Sequence, residues 1–441
     1  MLNPPRKPAA AHFKVLQWNV LADGLAQNGD FCMVPPSCLE WEYRKPLLLQ
    51  ELLEADADII CLQELNHFDE LRQALGELGY DGAFREKHAS PALKYEYPPD
   101  GMAVFYRRSR FSVVPGGVEG RSFQDDCTGR EQSQGYLAIC LADRVVGDAR
   151  LLVVTTHLKA KDGAECEELR FQQAQQLLRN IAATLDRLQG EGQAQGLAGP
   201  SNGSGPKPGP ASAGSNGAGA SNGNGSGAGT GAGSNGAAAA AKGGGGGAPP
   251  GRRCVVPVVV TGDFNTLPGS KTCRAFREHP LRLQSLWEQL PLDATLSSGS
   301  DVDMPPLPPA PPAPTASHPP AAPAPTAPQP PALSSAPPYN GSATASTLAS
   351  SSYMSVGEEF STWKFRVKGE SKRISDYIYF TGCGALRPLS RWRMLTEEEI
   401  GPDGLPNRAY GSDHVSLCCE FEWDTVADLE WAPTRKEAEW G

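Results

Sequence analysis

The chain has 441 residues, of which 39% are hydrophobic, with 48 glycines, 40 prolines and a formal net charge of −10. An acidic balance argues against an extended nucleic-acid-binding face but leaves room for a local cationic pocket, because net charge does not describe a site. The eleven cysteines are scattered without a Cys-x-x-Cys pair, which argues against a disulfide framework or a structural zinc site and fits a reducing compartment.

Glycine and proline concentrate in two tracts, so the foldable remainder, about 315 residues, is the size of one large domain. We expect a flexible amino terminus over 1–12, one folded domain over 13–424 and a tail over 425–441. Residues 1–12 lack the apolar core of a signal peptide, and no run of about 18 apolar residues occurs. The expectation is a soluble, cytoplasmic protein with no membrane partner, mitochondrial targeting staying open only if the native amino terminus is longer.

Residues 13–20 read as a strand with Val15, Gln17 and Asn19 on one face. Asn19 falls at its end, a position that also suits a turn cap. Residues 42–55 have helical spacing, interrupted only by Pro46 near the start. Residues 58–64 form a second buried strand that closes on Glu64, and a carboxylate there is costly unless it faces solvent or a cation. A helix over 68–78 stops at Gly79. Short strands follow over 102–106, 111–114 and 136–141, and a stronger one over 151–157 ends in His157. Lys159 and Lys161 come next, on one side of the chain. Residues 165–188 have the spacing of a long amphipathic helix.

Residues 190–251 are Gly, Ala, Ser and Asn with almost no larger apolar side chain. Such a tract cannot offset its ordering entropy and is expected to be a disordered insertion, cheap to close because loop entropy grows only logarithmically with length. The apolar run from Val255 then leads into Gly262-Asp263-Phe264-Asn265. If the extended backbone continues through Phe264, Asp263 and Asn265 share a side at the carboxyl end of the sheet while Phe264 points into the core. A carboxylate and an amide so placed can deprotonate a water and hydrogen-bond a phosphate oxygen; an Asx turn is the plainer alternative.

A short helix is expected over 271–279. Residues 291–352 form a second insertion, Pro-rich and then Ser-rich; its run at 305–314 has the composition of a plain linker and also that of a ligand for a polyproline-reading partner. Order returns at 361–366. The strand over 373–380 places Asp376 and Ile378 on one face, Tyr377 and Tyr379 on the other. In the last element, over 411–421, Ser412-Asp413-His414 sits immediately before a strand.

Five apolar strands thus begin or end in Asn19, Glu64, His157, Asp263 with Asn265, and Asp413 with His414. Open α/β sheets bind ligands where strand ends converge. Asn and Glu without cysteine ligands suit a hard, oxygen-coordinated ion, so Mg²⁺ (or Mn²⁺) is expected and Zn²⁺ is not. Asp263 then activates water, Asn265 and His157 hydrogen-bond the phosphate, and His414, oriented by Asp376, stays cationic.

Trp18-Asn19, Leu62-Gln63-Glu64, Thr156-His157-Leu158-Lys159, Gly262-Asp263-Phe264-Asn265, Asp376-Tyr377 and Ser412-Asp413-His414 occur in the order and spacing of the endonuclease/exonuclease/phosphatase superfamily. Within it the chain resembles the nocturnin-like branch of the deadenylases, on Gln17-Trp18-Asn19-Val20-Leu21-Ala22, Trp41-Glu42-Tyr43-Arg44-Lys45, Pro99-Asp100-Gly101 and Thr362-Trp363-Lys364. The resemblance implies a four-layer α/β sandwich of two packed mixed sheets flanked by helices. It implies Glu64 as principal metal ligand with Asn19 beside it and Asp413 in the metal set, Asp263 as base, Asn265 and His157 on the phosphate, and an Asp376–His414 pair. The activity it implies is removal of the 2′-phosphate from NADP(H), with Lys87, Lys159, Lys161 and Arg366 clamping the dinucleotide's phosphates. Lys161 stands where relatives often carry Arg, which exchanges a bidentate donor for a point charge. The alternative activity is a 3′-exoribonuclease that shortens poly(A) RNA.

Overall fold

The computed structural model describes residues 11–126, 128–147, 149–197, 256–289, 295–296, 359–382 and 385–423. In chain order they form β1 (His12–Asn19), α1 (Asp23–Asn28), α2 (Trp41–Ala55), β2 (Ile59–Leu65), α3 (Phe68–Glu77), β3 (Tyr80–Glu86), β4 (Gly101–Arg107), β5 (Phe111–Gln124), β6 (Glu131–Asp143), β7 (Ala149–His157) and α4 (Ala164–Leu197). There follow β8 (Val258–Asp263), α5 (Lys271–Glu278), β9 (Leu283–Ser285), α6 (Leu286–Gln289), β10 (Thr295–Leu296), β11 (Thr362–Arg366), β12 (Gly369–Arg373), β13 (Asp376–Thr381), β14 (Leu386–Trp392), α7 (Glu397–Ile400) and β15 (Leu417–Trp423).

Among the described residues these strands build two mixed sheets, one ordered β10-β14-β15-β1-β2-β4-β3 and the other β5-β6-β7-β8-β13-β9, with β11 and β12 as a separate ribbon. Period-two patterning explains how they stack. In β1, Phe13 and Val15 join the core between the sheets, while Leu16 and Trp18 on the opposite face pack with Leu48 and Leu52 of α2 and Leu71 and Leu75 of α3. Behind the second sheet, Ala174, Leu177 and Ile181 of α4 and Cys273 and Phe276 of α5 enter the main core. Helix, sheet, sheet and helix make the four-layer α/β sandwich that the resemblance implied.

The strand expected from Val255 begins only at Val258. Pro257 precedes it and has no N–H to donate to a ladder, though its carbonyl accepts from Leu152 N at 3.0 Å. β5 runs well past the short strand the sequence indicated, because glycines at 116, 117 and 120 break the apolar alternation that marks a strand, and β6 starts earlier, at Glu131, over the polar stretch 131–134 that has no such alternation. α1, β3, β9, β12, β14, α6 and α7 were not anticipated. α4 continues past Gly190 to Leu197, and β10, inside the tract expected to be an insertion, pairs with β14. The rest of the two insertions, the polyproline run at 305–314 and the two termini lie outside the described residues. No helix among the described residues is long and apolar enough to cross a membrane.

Candidate active site

Parallel pairing brings the strand ends together. β1 runs beside β2 with Asn19 opposite Gln63, and β7 runs beside β8 with His157 opposite Asp263. β13 crosses antiparallel to β8, so Asp376 lies directly opposite Asp263. Asn19, Glu64, His157, Asp263, Asp376, Asp413 and His414 are all buried.

Asn19 sits at the centre. Its Nδ2 donates to Glu64 Oε1 and to Asp263 Oδ2, each at 3.1 Å, and its Oδ1 accepts from Leu21 N. Glu64 Oε2 accepts from Ala22 N at 3.1 Å. His157 Nε2 lies 3.8 Å from Glu64 Oε1 and 3.7 Å from Asp263 Oδ2. Glu64 reaches this position through a left-handed backbone, φ 56°, where the β2–β4 register shifts between Leu62 and Leu65. An unbroken strand would put Gln63 and Glu64 on opposite faces; the kink turns both toward the space between the sheets.

The strand does not continue through Asn265, which has φ 52°. The Asx turn forms instead, Asp263 Oδ1 accepting from Asn265 N at 2.9 Å, while Asp263 Oδ2 remains on the site. Turn and functional carboxylate are thus the same residue, one oxygen to each. The Asn265 amide stands beside β7's end, its Nδ2 donating to Leu158 O at 3.3 Å. Phe264 points into the core as expected and is fully buried.

His414 Nδ1 lies 2.8 Å from Asp376 Oδ2, and its Nε2 lies 3.8 Å from Asp263 Oδ2. Trp18 Nε1 donates to His414 O at 2.8 Å and Ser412 Oγ to Asn19 O at 2.6 Å, which ties the 412–414 loop to the end of β1. Burial disfavours a charged ring at His414, but Asp376, with Asp413 and Asp263, raises it to about 9. Burial, then Lys87, drives His157 the other way, to about 4, so the two histidines carry opposite protonation states at neutral pH. Burial and then the Asp413 charge hold the Glu64 carboxyl above its ordinary range, against the pull of Lys87.

Asp413 is joined to Lys364, and Arg366 Nη2 lies 3.4 Å from its Oδ2. Burial alone would raise its carboxyl; Lys364, His414 and Arg366 hold it well below the ordinary range. Arg366 also stacks over Phe31, its guanidinium 4.8 Å from the ring centroid. Lys87 pairs with Asp100 at 3.4 Å, and these two line a pocket with Gly101, Met102, Ser133, Gln134, Gly135 and His157. Lys159 and Lys161 follow β7 on a loop whose carbonyls at both positions accept from Arg170 Nη1, at 2.9 and 2.8 Å. Lys159 is half-buried and Lys161 exposed.

The donor set suits a hard divalent ion. Glu64 and Asp263 are buried carboxylates held beside one another by a shared amide, which raises the cost of both being charged unless a cation lies between them. Asp263, Asp376 and His414 also present atoms within 4.8 Å of one another. Asp376 Oδ2, however, already accepts from Ser361 Oγ at 2.7 Å and Ser375 Oγ at 3.1 Å besides facing His414, so that triple is a hydrogen-bonded relay.

Asp100 and Lys364 belong to motifs that carried the family resemblance, yet neither received a role, since their chemistry depends on Lys87 and Asp413 being adjacent in space. The fold and the site together define an α/β phosphoester-processing architecture. The Endonuclease/Exonuclease/phosphatase family matches the chain over residues 16–414, and the chain belongs to it. Within that family it is nocturnin-like. Human Nocturnin is 28% identical over 421 residues, covering 94% of this chain and 66% of the relative, and Nocturnin of Rattus norvegicus is 27% identical over 94% and 67%. The chain therefore spans about two thirds of the length of these relatives. Carbon catabolite repressor protein 4 homolog 1 of Arabidopsis thaliana is 39% identical over 105 residues, 23% of this chain and 17% of that protein. Among solved structures, the human Nocturnin catalytic domain with bound sulfate anion superposes with a TM-score of 0.51 at 23% identity, over 94% of this chain and 95% of that one. ANGEL2, a 2′,3′-cyclic phosphatase, superposes with 0.55 at 17%, over 94% and 96%, which shows the shared fold.

Proposed function

We propose that this chain is a Mg²⁺-dependent phosphoesterase that hydrolyses the 2′-phosphate of NADP(H) to give NAD(H). The observation that carries hydrolysis is the Glu64–Asn19–Asp263 bridge standing against a cationic His414 on Asp376. Glu64 would hold the metal ion with Asn19 beside it, its amide fixing the Glu64 carboxylate, and with Asp413 adding charge to the same strand-end edge; Mn²⁺ is an acceptable substitute. When bound, the ion supplies charge neutralisation at the phosphate oxygens. Asp263 takes the proton of the attacking water, whose oxygen forms the new P–O bond as the ester P–O bond breaks, and the departing ribose 2′-oxygen takes its proton from solvent water. Neutral His157 and the Asn265 amide hydrogen-bond the phosphate, and the His414 imidazolium faces the negative charge that builds in the transition state.

The small-substrate reading is supported by the local cation Lys87, paired with Asp100 and acting on the His157 ring, and by the net charge of −10. Lys87, Lys159, Lys161 and Arg366 would contact the remaining phosphates. The expected setting is cytoplasmic. Local similarity to the carbon catabolite repressor proteins favours a second reading, 3′-exonucleolytic shortening of poly(A). The test is phosphate release from NADPH with Mg²⁺, beside a 3′-labelled oligo(A), with Glu64→Ala as control. Release from NADPH with intact oligo(A) supports the dinucleotide reading. Shortening of oligo(A) without NADPH turnover replaces it with the nuclease.

A further inference from the structure

Beneath the site lies a second row of polar side chains that the hydrolytic scheme leaves without a role. Gln17, Gln63 and Thr155 have no exposed surface at all. The two glutamines form a reciprocal amide pair: Gln17 Nε2 donates to Gln63 Oε1 and Gln63 Nε2 to Gln17 Oε1, each at 2.7 Å. Each amide nitrogen has a second hydrogen. Gln17 spends it on Asp376 Oδ1 at 3.1 Å and Gln63 on Thr155 Oγ1 at 2.8 Å. All four N–H donors are used, and reversing the Gln17 amide would aim its oxygen at the Asp376 carboxylate, so the pair has one stable polarity.

The placement is regular. Gln17 is two residues before Asn19 on one strand face, Thr155 two before His157, and Gln63 immediately precedes the kinked Glu64. The row therefore spans both sheets directly under the groups proposed to act, through β1, β2, β7 and β13. Asp376 is the point of contact between the rows. Gln17 occupies its Oδ1, while Ser361, Ser375 and His414 meet at its Oδ2.

We infer that Gln17, held by Gln63 and Thr155, is a positioning residue that fixes the Asp376 carboxylate and through it the orientation of the His414 ring. Burying three uncharged polar side chains between two apolar sheets costs stability that leucines would not, so a plain core role does not account for them. The inference rests on the proposed phosphoesterase reading for its effect on turnover, but its effect on His414 is measurable without substrate.

The experiment compares wild type, Gln17→Leu and Gln17→Met in the full chain, with crystal structures of the three proteins and the Mg²⁺-dependent hydrolysis of NADPH as readouts. Without the Gln17 N–H at Asp376 Oδ1, the Asp376 carboxylate should turn and the 2.8 Å contact between His414 Nδ1 and Asp376 Oδ2 should be lost in both variants. Both should lower kcat by about tenfold or more, with KM within about twofold. Methionine matches the length of glutamine but has no N–H to give, so a packing role predicts a Gln17→Met protein close to wild type. A folded Gln17→Met protein with wild-type kcat, or with the Asp376 and His414 side chains placed as in wild type, overturns the inference. If Gln17→Leu fails to fold, Gln17→Met decides alone. If the wild type turns over no NADPH, the substrate reading fails separately, and the crystal structures still decide the positioning role.

Discussion

The two faces of β8 and β13 are equally dry and chemically opposite. Asp263 and Asp376 pair across one face, while Phe264, Tyr377 and Tyr379 fill the other against Phe276 of α5, with ring centroids 4.8–5.6 Å apart. The aromatic face is held by area and shape, which tolerate many arrangements. The charged face is held by directional bonds, and each carboxylate oxygen has its own donor. Burial is thus a poor guide to role here, and the number of fixed hydrogen bonds per buried atom is the better one.

That contrast is broken most sharply on the charged face. Glu64→Ala should reduce metal-dependent hydrolysis to background while circular dichroism and melting temperature stay near wild type; retained turnover would remove Glu64 from the metal. Asp263→Asn, which keeps the Asx turn but cannot take a proton, should lower kcat about a hundred- to ten-thousandfold with little change in KM.

pH sharpens it next. With His157 at about 4 and His414 at about 9, the working state of neutral His157 and cationic His414 spans that interval, and kcat should fall above about 9. His414 also links to stability. Its folded value lies above its ordinary 6.5, so its contribution is fully present below 6.5 and fades as pH rises through about 9. Asp413 has the opposite sign, stabilising above its ordinary 3.8 and losing that contribution as pH falls toward its depressed folded value. An Asp376→Asn protein should lose the high-pH stability change at His414, as followed by chemical denaturation across pH.

On the aromatic face the outcome should invert. Phe276→Ala removes a fully buried ring and should cost about 3–5 kcal/mol of stability, while kcat measured well below the melting temperature stays within about twofold of wild type. A large kcat loss in a folded Phe276→Ala protein would show that the two faces are coupled. The smallest effect belongs to Lys161→Ala. An exposed cation at a distance from the bonded centre should raise KM by no more than about fivefold, and more salt should shrink the difference.

Much of this was legible in the sequence. Polar residues at 19, 64, 157 and 263 could be found because apolar runs of fixed period close on them, and the alternation at 376–379 assigned both faces of β13 correctly. β3 was missed because Tyr80–Glu86 carries too little alternating hydrophobicity, and its residues are mostly half-buried. The extended path through Phe264 failed because Asn265 tolerates a left-handed backbone that closes the Asx turn.

What the sequence determined by itself was the set of elements with strong periodicity and the chemistry waiting at their ends, since both are properties of residues close together in the chain. What only the tertiary structure decided was partnership: Asp376 with Gln17 across 359 positions, Asn19 with Asp263 across 244, and Lys364 with Asp413 across 49. The reason is physical. Hydrophobic period is fixed by backbone geometry within one element, whereas the protonation of a buried histidine or the use of a carboxylate's second oxygen depends on which distant groups the two sheets bring within 3 to 4 Å.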